Sequence, residues 1–214
     1  MKKSLINLII LSSLLTSCNK SLPTPEVMSG IRGEQFGIDK NINEETIDKY
    51  LNRNDVVYRD NRMLIDPANY ENIGGDSYLS GFIKGFEVVP YPFLAPTINL
   101  PSEVGEGYTG ETLFSIENNS YIANYKESLE IIESLFPKDK SIFLMCGGGG
   151  YASMTKNLLL SLGYDQNKIY NVGGYWYYNG KNKIEVKQEI NNEVTYNFDL
   201  VTYHNIDFST LTKL

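Results

Sequence analysis

The chain is short of the side chains that build most metal and disulfide chemistry. It has one histidine, His204, and two cysteines, Cys18 and Cys146, in 214 residues. No His, Cys and carboxylate spacing of the zinc-site type occurs, so no metal site is expected, and no motif implies a cofactor. Basic residues are scarce, 19 against 26 acidic, and the net charge of −7 argues against nucleic acid as a partner and against a basic membrane-binding face. Apolar runs long enough for a permanent membrane helix are missing. The most apolar stretch, Leu5 to Leu15, is broken by Asn7, Ser12 and Ser13. What is present is 42% apolar and 12% aromatic residues, which exclude disorder for most of the chain and suffice for one domain with a full core.

Lys2 and Lys3 precede that apolar stretch, and Leu15-Thr16-Ser17-Cys18 follows it. This is the layout of a cleaved signal over residues 1–17. Its end resembles the lipobox of bacterial lipoproteins. The resemblance implies cleavage before Cys18, a diacylglyceryl group on Cys18, and a lipid anchor at the extracytoplasmic face of the cell membrane. Two acyl chains, at ~0.8 kcal/mol per buried methylene, give stable attachment. Cleavage removes two of the 19 basic residues and leaves 17 against 26 acidic ones, a net charge of −9. A lipidated Cys18 cannot pair, so Cys146 becomes a lone thiol in an oxidising compartment. Residues 18–41, punctuated by Pro23, Pro25, Gly30 and Gly33, read as a tether.

Cys146 ends the apolar run Ser141-Ile142-Phe143-Leu144-Met145 and is followed by Gly147, Gly148, Gly149 and Gly150. The run reads as a buried strand, and Tyr151 to Leu162 as a helix with Met154, Leu158, Leu159 and Leu162 inward. A thiol between a strand end and a helix start is where amides and the helix dipole hold a thiolate. Glycines there permit an anion nest of converging N–H groups, with Tyr151 closing the loop. The plainer alternative is a buried small hydrophobe in a tight turn. The glycine run lacks the Gly-Lys-Ser/Thr of a nucleotide phosphate loop.

Elsewhere, Asn43 is placed as the N-cap of a helix whose Ile47, Tyr50 and Leu51 share a face. Val56-Val57-Tyr58, Met63 to Asp66, and Phe86 to Val89 read as strands, and Arg59 to Arg62 as a solvated turn. Prolines and glycines make 93–120 irregular. Tyr121 to Phe136 has helical spacing, and Lys168 to Val172 is a strand. Lys183–Ile190 and Val194–Tyr203, around Asn191-Asn192, read as a β-hairpin. Helices between apolar strands predict an α/β fold: a central, mainly parallel sheet flanked by helices, with the hairpin as a C-terminal extension.

Over Ile42 to Tyr178 the chain resembles a rhodanese-like domain, the sulfurtransferase superfamily. The resemblance is carried by Ile42-Asn43-Glu44-Glu45, Leu64-Ile65-Asp66, Gly81 to Pro90, Cys146 to Tyr151, Gly163-Tyr164 and Gly173-Gly174-Tyr175-Trp176. It implies a rhodanese-like domain at 42–180, with an insertion at about 93–120, and the hairpin extension at 181–214. It further implies Cys146 as the nucleophile that carries a persulfide between a small sulfur donor and a thiol acceptor, over an anion-binding loop of residues 147–151. Tyr151 stands where catalytic members usually have an Arg, and Pro67 where the chain usually runs from Asp toward an Arg. Asp66 and Lys156 are possible supports of the site. Two alternatives stay open: a catalytically idle binding domain with a protein partner, and a cysteine hydrolase pairing Cys146 with His204.

Overall fold

Ile142, Phe143 and Leu144 are at most 1% exposed, because they lie on a strand covered on both faces. The computed structural model describes residues 21–214. After a short helix α1 (Ile31–Phe36) come strands β1 (Val56–Asp60), β2 (Gly81–Ile83) and β3 (Glu87–Val88). Helix α2 (Tyr91–Leu94), strands β4 (Phe114–Glu117) and β5 (Ser120–Ala123) and helix α3 (Ser128–Leu135) follow. Then come β6 (Ser141–Cys146), helix α4 (Gly150–Ser161), β7 (Ile169–Gly174), β8 (Lys183–Glu185), β9 (Lys187–Ile190) and β10 (Glu193–Tyr196).

The central sheet has the order β3-β1-β6-β7, with every pair parallel. Burial on both faces explains the unbroken apolar run of β6, since a parallel strand has no solvent side to mark with polar residues. Alternation sends Ile142, Leu144 and Cys146 toward α3 and α4, where they meet Ile132, Phe136, Leu158 and Leu159. Phe143 and Met145 point the other way, into a core with Ile47, Tyr58, Tyr170 and Val172. The chain is therefore α/β with a parallel sheet between two apolar layers. Cys146 sits at the carboxyl end of a central strand, the side on which open α/β sheets bind ligands.

Several local expectations fail, each for a physical reason. The tether assigned to 18–41 is, over its described residues, part of the fold. Ile38 is fully buried and bridges Asn171 of β7 in parallel, so the segment lengthens the sheet. The helix expected after Asn43 is a turn and a single 3-10 turn, Ile47–Lys49. The Asn43 carboxamide holds Glu45 N–H at 3.1 Å, but no α-helix propagates. Met63 to Asp66 makes only a bridge from Ile65 to Tyr78. The helix expected at 121–136 forms only over Ser128–Leu135, and its first three residues belong to β5. Asn118 and Asn119, at φ 49° and 61°, form the tight turn that pairs it with β4.

The stretch 93–120 is irregular yet packed: Leu94, Val104, Leu113 and Phe114 are buried. Of the span read as one C-terminal hairpin, β9 pairs antiparallel with β10 about Asn191 and Asn192, both at positive φ. β8 instead pairs with β2, and Phe198–Leu200 is a 3-10 turn. The supposed solvated turn is interior. Asp60 and Asn61 are fully buried, and Arg59 and Arg62 nearly so.

Candidate functional site

The site starts from where β6 stops. Beyond Cys146 the chain turns into α4 through Gly147–Gly149, with Gly149 at φ 112°, a left-handed conformation that disfavours other residues. The turn brings Gly149 N–H to 3.1 Å from Cys146 Sγ, and the amides of Tyr151 and Ala152 also act on the sulfur. Asn171 of β7 braces this turn, its amide donating to Gly149 O at 3.1 Å and to Phe36 O at 2.8 Å. Arg32 of α1 donates to Gly148 O and ion-pairs with Glu44. The glycine run is thus held from both sides.

Of the four glycines, two are required by geometry. Gly149 needs its φ, and a Cβ on Gly147 would collide with the Trp176 indole. Gly148 and Gly150 have room for a side chain. Of the loop expected to converge on the sulfur, residues 147–151, only Gly149 and Tyr151 supply N–H groups that favour a thiolate, joined by Ala152. Burial outweighs them. Cys146 is 3% exposed, and desolvation pushes its pKa up from the usual thiol value, with the nearby Asp60 carboxylate adding to the rise. Burial thus opposes the thiolate that the expected loop would hold, while amide donors that favour it are already in place.

Cys146 opens onto a cavity of about 140 Å³ between the loop, Met63–Tyr78, and the irregular stretch at Asn99–Pro101. Gly147, Gly148, Gly150 and Tyr151 line it with Cys146, as does Asp66. Asp66 ends no core strand. It turns the chain, with Oδ1 accepting from Ala68 N–H at 3.0 Å. Its Oδ2 accepts from the Tyr151 hydroxyl at 2.9 Å, and the Tyr70 hydroxyl is 2.8 Å from that of Tyr151. Burial raises the Asp66 pKa above the usual carboxylate value, against the pull of these donors. Burial also drives both phenols well above their ordinary range.

Beside them runs a buried ion pair. Arg62 Nη2 is 2.6 Å from Asp60 Oδ2 and 2.8 Å from Gly81 O, and its guanidinium lies over the Tyr175 ring. Arg62 Nη1 and Trp176 Nε1 are buried with no hydrogen-bond partner among the described residues, and both residues contribute to the cavity wall. The cavity walls are largely apolar and aromatic.

Lys156 does not line the cavity. It is partly buried near Asp39, and desolvation lowers its pKa, so it does not replace a loop cation. His204 is also elsewhere, with Nε2 2.8 Å from Glu87 Oε2 beside β3. Cys146 is the free cysteine among the described residues, and Cys18 lies outside them. Sequence reasoning missed Tyr70, Asp60, Arg62 and the cavity-facing role of Trp176. The strand ending in Asp60, followed by Arg62, was the available signal for the ion pair. No protein-family model matches this chain, and neither a curated protein nor a solved structure is found to be similar to it.

Proposed function

We propose that this is a lipid-anchored, extracytoplasmic rhodanese-like protein in which Cys146 takes sulfur from a small donor as a persulfide and passes it to a thiol acceptor. The observation that carries the reading is Cys146 at the base of a cavity, 3.1 Å from the Gly149 amide, between a parallel strand and a helix start. A persulfide sulfur is larger and more acidic than a thiol, and the Arg62 guanidinium in the cavity wall suits an anionic sulfur. Residue order adds support. β1 ends at Asp60 and Arg62 follows it, an Asp-to-Arg order that supports the resemblance better than Leu64-Ile65-Asp66 does.

Intact-mass measurement after exposure to an organic persulfide or thiosulfate tests the reading. A one-sulfur addition that disappears in Cys146→Ser is expected, and no addition with either donor would reject it. A membrane-fraction assay with labelled fatty acid tests the anchor at Cys18, which Cys18→Ala should abolish.

The second reading is a binding domain that keeps the fold without the chemistry. The thiol pKa raised by burial and Tyr151 in place of an Arg favour it. It requires that Cys146→Ser leave partner binding unchanged. A hydrolase pairing Cys146 with His204 has no geometric support, since His204 is engaged by Glu87 outside the cavity.

A further inference from the structure

The charged side chains lining the Cys146 cavity are Arg62, Asp66 and Asp76, one positive and two negative. The positive one is matched within the wall, because Arg62 Nε and Nη2 donate to the two oxygens of Asp60 at 3.0 and 2.6 Å. Such a pair can stand beside a single sulfur held on Cys146, but it leaves no excess charge to draw a dianion out of water. The neutral polar groups are engaged as well. The Tyr151 hydroxyl donates to Asp66 at 2.9 Å and lies 2.8 Å from that of Tyr70, and the Ser77 hydroxyl donates to Ala68 O at 2.6 Å.

The rest of the wall is mostly carbon. The Trp176 and Tyr70 rings meet with centroids 5.6 Å apart, and Phe36, Leu100 and Met154 extend the apolar surface. At the mouth, Ile73 and Tyr78 are 43% and 40% exposed, so the approach to the sulfur is apolar too. The volume is small, about 140 Å³. A dry apolar cavity of roughly 150 Å³ takes up a benzene ring.

We propose that the Cys146 cavity binds one uncharged apolar group about the size of a benzene ring, and that the sulfur donor is an organic persulfide carried on such a group, not thiosulfate. The binding half stands on the cavity alone, and the donor half rests on the sulfur-transfer reading. Apolar walls gain by covering a ring, whereas thiosulfate would give up its hydration for donors that are already engaged. In the transfer, Cys146 Sγ bonds the outer sulfur and the donor's sulfur–sulfur bond breaks with its electron pair on the inner sulfur. The proton lost from Sγ is matched by the one the inner sulfur gains, so the organic group leaves as a thiol and no oxidant or reductant enters.

Trp176 is the only tryptophan in the chain and lines the cavity, so its emission reads an occupant. Toluene and sulfate are the probes, one a ring without charge and the other a dianion of the shape of thiosulfate, and neither donates sulfur. Toluene should change the emission along a saturating curve. At about five times its half-saturating concentration it should raise the melting temperature by about 2–4 °C. Sulfate at the same concentrations should leave the emission unchanged. Gly148→Val sets a side chain beside the indole, where a Cβ has 3.5 Å, and should weaken toluene by at least about tenfold. Leu100→Asn makes the wall polar and serves if that variant does not fold. No saturating response to toluene, an equal response to sulfate, or undiminished toluene binding in the folded variant overturns the site.

Sulfur uptake is scored separately by intact mass. Uptake from benzyl persulfide should be at least about tenfold faster than from mercaptopropionate persulfide, which carries the same sulfur on a charged body. Equal rates overturn the donor assignment. Toluene binding with no sulfur gained from any donor removes sulfur transfer and leaves the apolar site standing. Sulfur gained from thiosulfate with no response to toluene keeps the transfer and removes the site.

Discussion

The Trp176 indole occupies the space that a side chain at position 147 would need: a Cβ on Gly147 would stand 2.3 Å from its Cζ2 and 2.5 Å from its Cε2. The indole and the loop therefore hold each other in place at the cavity wall. Gly147→Ala must push the ring aside, at a cost of about 1–3 kcal/mol, and should weaken any ligand that packs against Trp176. Gly148→Ala meets only ordinary contacts, 3.5 Å from the same ring, and should change stability by less than about 0.5 kcal/mol. Urea unfolding of the two variants checks the contrast.

Arg62 and Asp60 are a buried pair, with side chains 8% and 0% exposed. Arg62→Met leaves the Asp60 carboxylate without its counter-charge, and a loss of about 3–5 kcal/mol is expected. Combining it with Asp60→Asn should recover much of that loss, because no uncompensated charge remains. A double-mutant cycle by chemical denaturation measures the coupling, and purely additive effects would contradict the pairing.

Asp66 carries a pH signature. Desolvation raises its folded pKa above the ordinary value of 3.8. Between 3.8 and the folded value, the folded state binds a proton that the unfolded state has released, so stability falls as pH rises through this window. The Asp66 contribution is thus fully present below pH 3.8 and lost above the folded pKa. The unfolding free-energy difference between wild type and Asp66→Asn, followed from acid to neutral pH, should shift in favour of the variant as pH rises. A constant difference would mean that the carboxyl titrates alike in both states.

Ile38 tests the place of the N-terminal segment. It is 0% exposed, and Asp39 N–H donates to Asn171 O at 2.8 Å. Ile38→Ala should cost about 2–5 kcal/mol, the range for emptying a core position. Removing residues 1–40 should lower the melting temperature further, while an independent tether would leave melting unchanged.

The sulfur-bearing turn was legible because its signals are local and agree. An apolar run followed by glycines and an amphipathic helix admits few arrangements, and β6, the turn and α4 appear within a residue of the expected bounds. The parallel sheet was legible for a related reason, since strands apolar on both faces need helices to cover them. Expectations failed where local pattern competes with distant contact. Tyr121–Ala123 has helical spacing, yet it pairs with β4 because two asparagines accept a tight turn. Ile38 lies among prolines and glycines, yet β7 offers it an open edge.

The sequence by itself determined the thiol, its glycines and the alternation of strands and helices, because each depends on neighbours along the chain. Tertiary structure alone decided what surrounds the sulfur. Asp66 and Tyr151 are 85 positions apart and Tyr70 and Tyr151 are 81 apart, and no periodicity announces that their oxygens meet. Arg62 and Asp60 look like a solvated turn until the strands around them close and exclude water. The upward push on the Cys146 pKa belongs to the same class, because its first cause is solvent exclusion, a property of the packed molecule.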